Sequence, residues 1–577
     1  MKSRFAIFFL AILFLSCNEQ KKPQTEEMKD LLQAIDVALT QTAELSATEK
    51  ESNLIYQPFM NPPEISSDAQ QNRLSTSLEV RFANNPVYKS DSKNGNGKNI
   101  DVYHRSYNGQ LVGSTWRIKP GDSLLVDVNN RLSNDQCDSN PMEAGHHHSG
   151  NINVINPLRF NTTNLHVHGF HVSPDGHSDN VFVEIKPGCN FQNRYQLPQD
   201  HAPGTFWYHG HVHGSTAIQV ASGMAGAIII EGGLDTIPAI KAMEEIFVLQ
   251  QMPFMKDSLN DRYHVPFDES ENGNFGPGRW EKNASNNGWR TTINGQAVPV
   301  ITMAPGEVQR WRFVHAGVRE TVNLRVFDRG EGEKRGELYA QDMHVIAEDG
   351  IAYGYSEKSQ DKILQPGYRV DLLFKAPEKS KDTLFIMDAQ SARLGEIKTT
   401  LVKESPKLLA MVVLKKKGGE VAKRLPSQNA LKDLAPYPSL VDEPTTVAKE
   451  NMEFSIKKID DTVRFMIDGR PFDPNNIRKL QLDAVQDWEL SSATGSHPFH
   501  IHVNHFQIVD KYVKTCTKEG AGGKCEKEEW VQVKTRPIWK DTYFVQSDEI
   551  TTIRTVYKDF TGKFVIHCHI LDHEDQG

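Results

Sequence analysis

The chain has 577 residues, too many for one core, so several domains are expected. Its 65 Lys and Arg against 74 Asp and Glu leave a net charge of −9 with no basic stripe, which excludes nucleic acid as a partner. The 40 glycines and 29 prolines sit at turn-like positions, favouring many short strands over long helices.

The N-terminus reads as a processing signal. Lys2 and Arg4 precede an apolar run from Phe5 to Leu15, which is too short to span a bilayer and fits the h-region of a secretory signal. Phe14-Leu15-Ser16-Cys17 is similar to the lipobox of bacterial lipoproteins, in which the cysteine becomes the lipidated first residue. A plain signal cleaved nearby is the alternative. Residues 1–17 are therefore expected to be a lipoprotein-type signal peptide. The protein is expected to be exported and anchored to the bacterial envelope through lipid alone, on its periplasmic or its cell-surface face.

Residues 18–77 are polar and predict a tether plus one amphipathic helix from Met28 to about Glu51, with Leu31, Leu32, Ile35, Val37, Ala38 and Leu39 as its apolar positions. From residue 78 to 233 the text becomes strand-like. Trp116 to Ile118, the turn Pro120-Gly121, and Leu124 to Val128 read as strand, turn, strand. Pro-Gly turns recur at Pro187, Pro305 and Pro366, each beside an alternating apolar segment, as repeated antiparallel sandwiches would have. A second unit is expected over 234–425 and carries no paired histidines, so it reads as a spacer. Residues 426–451 read as a linker, and 452–577 as a third unit.

Export makes the cysteines informative. Cys17 is assigned to lipid and Cys568 to a metal, leaving four in a disulfide-permissive compartment. Cys516 and Cys525 bracket a glycine-rich tip, so a local bridge is expected there, and Cys137 with Cys189 follows by elimination. The Lys- and Glu-rich hairpin around this tip, Lys511 to Lys527, reads as a solvated excursion. Because it follows the strand bearing His497, it is also a candidate to fold over the mouth of a metal site.

The last eleven residues, from His567 to Gly577, carry the strongest chemistry. They follow the apolar run Phe564-Val565-Ile566, the end of a buried strand. Alternation along a strand points His567 and His569 one way and Cys568 the other. Cys568 and His573 with a third nitrogen ligand would make a His2Cys blue-copper set, and His567 and His569 would serve a second centre behind it. Zinc also takes Cys and His, so these residues alone leave both metals open. Three further clusters narrow the choice: Leu165-His166-Val167-His168-Gly169, His209-Gly210-His211 after Phe206-Trp207-Tyr208, and His497-Pro498-Phe499-His500-Ile501-His502. With 22 histidines, chance predicts about one His-x-His pair, and the chain has six. Four of these lie in apolar, strand-like text. The other two involve His146-His147-His148, which reads as an exposed polar loop, and His213, which with His505 reads as a packing or supporting residue.

In this order and at these separations, the four clusters resemble the four copper signatures of three-domain multicopper oxidases, the laccase-like enzymes, over roughly residues 78–577. That resemblance implies an all-β fold of three consecutive cupredoxin-like Greek-key sandwiches, and four copper ions. It implies His497, Cys568 and His573 as type 1 ligands, and His166 and His500 as type 2 ligands. For the type 3 pair it implies His168, His209, His211, His502, His567 and His569. It implies electron entry at Cys568, with dioxygen and a small reducing substrate as partners. Glu574 matches the family's acidic position for proton delivery. Asp179 matches the acid after the first motif, where a loop Asx-turn is the alternative. The family's weak axial ligand, commonly Met, would fall at position 578, so a longer product continuing with Met is expected.

Two other functions share these ligands. A two-domain copper nitrite reductase would not need the third unit or the His-Cys-His sandwich. A non-enzymatic copper-binding scaffold would not need the complete set. Of possible donors, phenols, aromatic amines and metal ions stay open. Between Ala340 and Leu425 only Met343, Met387 and Met411 occur, so the Met-rich insert of cuprous oxidases is not present.

Overall fold

The computed structural model describes residues 26–44, 54–90, 97–133, 136–137, 140–142, 160–241, 244–256, 263–265, 289–330, 337–378, 383–389, 406–459, 462–519 and 525–577. The signal segment with Cys17 and the run His146-His147-His148 lie outside these residues. Among the described residues, no helix is long and apolar enough to cross a membrane.

Alternating apolar residues give the fold its layers. In the strand Ser123–Asn130, Leu124, Val126 and Val128 are buried while the residues between them reach toward solvent. This strand belongs to a six-stranded sheet with Arg73–Ser90 and Gly97–Tyr107, facing a five-stranded sheet that contains His166–His168, Gly204–His209 and Ala225–Ile230. Their shared core holds Trp116, Val167, Phe206 and Ile228. A second sandwich pairs a sheet built on Val308–Ala316 and Arg369–Lys375 with one built on Val322–Arg329 and Thr383–Asp388, around Trp311, Phe313 and Leu372. In the third, a seven-stranded sheet containing Val485–Ser492 and Glu549–Val556 covers a three-stranded sheet of Thr542–Val545, His497–Ile501 and Ile566–Cys568. Its core includes Trp488, Phe499 and Cys568 itself. The architecture is three cupredoxin-like sandwiches in series.

The segment before the first sandwich is less of a tether than its composition suggests. The helix spans Glu26–Glu44, and Leu31 and Ile35 are fully buried among Phe327, Leu338, Phe385 and Met387 of the middle unit. Most of a helix's stability in a protein comes from tertiary packing of its apolar face rather than from propensity. Burial of such side chains, about 1.5–3 kcal/mol each, is what holds it. Residues 54–60 also pair with the middle unit, Phe59 N–H donating to the Val300 carbonyl at 2.9 Å. Strands begin at Glu64–Ser66 and Arg73–Ser90, ahead of the first residue expected from sequence.

Both expected disulfides are present, Cys137–Cys189 and Cys516–Cys525, with Cys568 as the free cysteine among the described residues. The described strands of the expected hairpin, Phe506–Glu519 and Cys525–Gln532, do not fold over the site. None of its described residues lines the cleft beside His573. The chain leaving it leans on the middle unit instead, where Arg536 pairs with Glu357 at 2.5 Å.

Candidate metal centre

The strand His497–Ile501 lies between Thr542–Val545 and Ile566–Cys568, with Phe499 opposite Cys568 and His500 opposite His567. That register separates the alternating side chains into two sites. On one side, His497 Nδ1 lies 3.4 Å from Cys568 Sγ, and His573 Nδ1 lies 3.9 Å from the same sulfur. His497 Nε2 faces the Thr494 carbonyl at 3.1 Å, a hydrogen bond that leaves the Nδ1 lone pair directed at the sulfur. The rings are fixed by stacking, His573 on Phe465 at 3.9 Å and His497 on Phe454 at 5.0 Å. Burial pushes the Cys568 thiol well up and lowers His497 to about 4 and His573 well below its usual range. This is a neutral pocket whose sulfur ionises only if a cation replaces its proton.

On the other side, eight imidazoles from the first and third sandwiches converge. In the first, the register sets His166 opposite His209, and the chain continues to His211. His211 Nε2 and His502 Nε2 lie 3.2 and 3.3 Å from His567 Nε2. His569 Nε2 lies 3.2 Å from His168 Nδ1, and the ligand atoms of His168, His209 and His569 fall within 4.8 Å of one another. His166, His168 and His500 form a further such group. Burial, reinforced by neighbouring imidazoles, holds His166, His168, His209, His211, His502, His567 and His569 well below the usual imidazole value; burial, with Arg369 nearby and against the pull of Asp541, lowers His500 to about 4.

These residues fit transition-metal ions. The Nε2 atoms of His166, His209 and His500 and the Nδ1 atoms of His502 and His569 are buried with no hydrogen-bond partner. Leaving so many polar atoms unsatisfied is costly, about 1–3 kcal/mol apiece, unless a cation accepts the lone pairs. Nitrogen donors with one thiolate nearby are the set that copper takes.

Carboxyl groups border the cluster on three sides. Both Asp179 oxygens lie 3.0 Å from His166 Nδ1, and Val167 N–H donates to Oδ1 at 3.1 Å. Asp179 is thus not a surface Asx-turn but a buried group, raised by burial to about 8. Glu574 Oε1 stands 3.4 Å from His211 Nδ1 and accepts from Thr216 Oγ1 at 3.4 Å, while Oε2 has no hydrogen-bond partner. Burial, with Asp575 beside it, raises Glu574 well above the usual carboxyl range. Asp575 accepts the N–H groups of Gly214, Thr216 and Ala217, clasping the third unit's last turn to the first unit.

The third carboxylate, Asp541, was not singled out from sequence. Its Oδ1 lies 3.2 Å from His168 Nε2, and its backbone carbonyl accepts from His500 Nδ1 at 2.8 Å. A strand-start Lys-Asp-Thr carries no motif signal of its own; only its pairing beside His500 brings it to the site. His505 is buried, with Nε2 3.9 Å from Asp541 Oδ2, and His213 packs its ring 4.9 Å from Phe472. A cleft of about 630 Å³ opens beside His497, Cys568 and His573, walled by Phe465, Phe472 and Trp488.

Two family models described as multicopper oxidase match residues 134–234 and 442–577, the segments that bear the histidine clusters. The chain is 23% identical over 543 residues to "Multicopper oxidase mco" of Staphylococcus aureus, covering 92% of each chain. To the "Laccase" of Bacillus subtilis it is 24% identical over 496 residues, covering 81% of this chain and 88% of that one. Among solved structures it is similar to "Multicopper oxidase from Campylobacter jejuni: a metallo-oxidase", with a TM-score of 0.61 and 22% identity, covering 91% of this chain and 94% of that one. At that identity the last likeness speaks to the fold.

Proposed function

The chain belongs to the laccase-like multicopper oxidase family, and from that premise we infer that it couples one-electron oxidation of a small reducing substrate to four-electron reduction of dioxygen to water. The observation that carries this is the single stretch His567-Cys568-His569, whose central sulfur faces His497 and His573 while its flanking imidazoles face the eight-histidine cluster. We assign His497, Cys568 and His573 to a type 1 ion, and His166 and His500 to a type 2 ion. The type 3 pair takes His168, His209 and His569 on one ion and His211, His502 and His567 on the other. Copper held by these residues would supply the redox chemistry, accepting single electrons at the thiolate site and delivering four to dioxygen at the cluster. A copper-storage scaffold would have no use for a covalent bridge between two sites, and a two-sandwich nitrite reductase would lack the middle unit.

The protein's own groups do the rest. The backbone from Cys568 to each neighbour is the shortest covalent path between the two sites. The stacked rings of Phe454 and Phe465 keep His497 and His573 in place and exclude water. Glu574, held neutral by burial 3.4 Å from His211, keeps a proton where water must be formed. Asp179 fixes the His166 tautomer by accepting from Nδ1, which presents Nε2 to the metal. On this reading Asp179 serves orientation first, with proton storage resting on its raised pKa.

The apolar cleft beside His573 favours a flat organic donor, a phenol or aromatic amine, over a metal ion. Export with a lipid anchor is supported by Lys2, Arg4, the Phe5 to Leu15 run and Cys17. A donor panel on copper-loaded protein tests the substrate class. Substituted phenols should show the higher kcat/KM. Turnover of ferrous or cuprous ions alone would overturn the organic assignment.

A further inference from the structure

The middle sandwich contributes no histidine to the cluster, yet it places one side chain against it. Arg369, fully buried, reaches from the middle unit to Asp541 of the third, Nη1 donating to Oδ1 at 2.8 Å and Nη2 to Oδ2. The guanidinium is locked on its other side by the carbonyls of Gly367 and Asp349, each at 2.9 Å, and by that of Thr205 in the first unit at 3.3 Å. Asp541 Oδ1 receives Thr542 Oγ1 at 2.7 Å and lies 3.2 Å from His168 Nε2 and 3.7 Å from His500 Nδ1. The rings of His168 and His500 are stacked at 3.9 Å, with 9° between planes. All three units meet at this one ion pair.

We propose that Arg369 is a positioning residue for the type 2 and type 3 coppers: its two-pronged grip on Asp541 fixes the tautomer and tilt of His168 and His500. A carboxylate held by one bond swivels; one held by the planar fork of an arginine does not. With Asp541 locked, His168 must donate from Nε2 and present Nδ1 to the cluster, on the side facing His569. The backbone leaves room for this arrangement. A Cβ on Gly169, whose φ is +86°, would meet Arg369 Nη2 at 2.4 Å and Asp541 Oδ2 at 2.5 Å. A Cβ on Gly367, at φ +89°, would press on the His569 ring at 3.0 Å. The middle unit therefore sets the cluster's geometry as well as spacing its neighbours.

This rests on the assignment of the cluster to copper, and the test separates the two. Arg369→Lys keeps the charge and loses the fork; Asp541→Asn keeps the shape and loses the charge. Each is loaded with copper and read by visible absorption, by paramagnetic resonance of the type 2 ion, and by copper retained against a chelator. The expected result is an unchanged blue band, an altered type 2 hyperfine splitting, and cluster copper lost about 10–100-fold more readily. Arg369→Lys with type 2 parameters and copper retention equal to wild type would overturn the proposal. So would loss of the blue band together with the cluster, since that marks a general packing role. Wild-type protein that binds no copper would instead defeat the functional assignment itself.

Discussion

Cys568 is buried beside groups that give it no reason to ionise: Asp572 adds to burial in raising its pKa, and burial lowers the facing imidazoles. Only a cation between Sγ and the nitrogens of His497 and His573 stabilises the thiolate. Cys568→Ser should accordingly erase the blue absorption and donor oxidation while the type 2 resonance persists. A visible spectrum equal to wild type would refute the assignment. The same burial predicts a pH dependence for the metal-free protein. Imidazoles lowered in the folded state take up protons on unfolding below their ordinary value, so stability falls with falling pH by about 1.4 kcal/mol per group per unit. The raised carboxyls of Asp179, Glu574 and Asp575 act oppositely, since they already hold protons in the fold, but the imidazoles outnumber them. The melting temperature of the metal-free form should drop from pH 6.5 to 5; a rise over that interval would contradict the neutral-imidazole cluster. At this scale the sequence was most legible. His-x-His on a strand and Cys568 between two histidines dictate faces, and the structure sends those side chains where alternation requires. Asp541 and Arg369 were not legible, because each reaches the site only through pairing of distant strands.

Elements were legible where periodicity is local. The Pro-Gly turns, the alternating strands and the Cys516–Cys525 bridge follow from nearby residues, whereas Cys137–Cys189, 52 residues apart, follows only by elimination. The helix was visible too, but its end at Glu44 and its docking on the middle unit depend on Phe327 and Phe385, far along the chain. Leu31→Ala with Ile35→Ala should free it, each large-to-small change costing about 2–5 kcal/mol. Hydrogen exchange over residues 26–44 should then rise while the blue band is retained. The long hairpin shows the opposite failure. Proximity in sequence to His497 suggested a cover for the site, but its strands run along the edge of the seven-stranded sheet, away from the cleft. Deleting Thr515 to Glu526 should change the KM for bulky phenols and for ferrous iron by the same small factor. A selective loss with phenols would place the hairpin at the donor site after all.

The molecule as a whole places two candidate metal sites on opposite faces of one strand, Ile566–Cys568, and builds the larger at the junction of its first and third sandwiches. The sequence indicates three sandwiches because turns and alternation repeat; it does not indicate how they dock, since docking depends on buried ion pairs and side chains from separate units. His209→Ala or His502→Ala should uncouple the sites: the blue band stays, donor bleaches it, and air no longer restores it. Wild-type turnover in either variant would remove those residues from the cluster. The central claim is that the chain joins single-electron entry to complete reduction of dioxygen, and its most direct test is the stoichiometry of the copper-loaded protein. With a one-electron phenol in excess, an oxygen electrode and a peroxide assay should record four donors oxidised per dioxygen consumed, with no hydrogen peroxide released. Two donors per dioxygen with peroxide accumulating, or donor bleaching of the blue band without oxygen uptake, would contradict it.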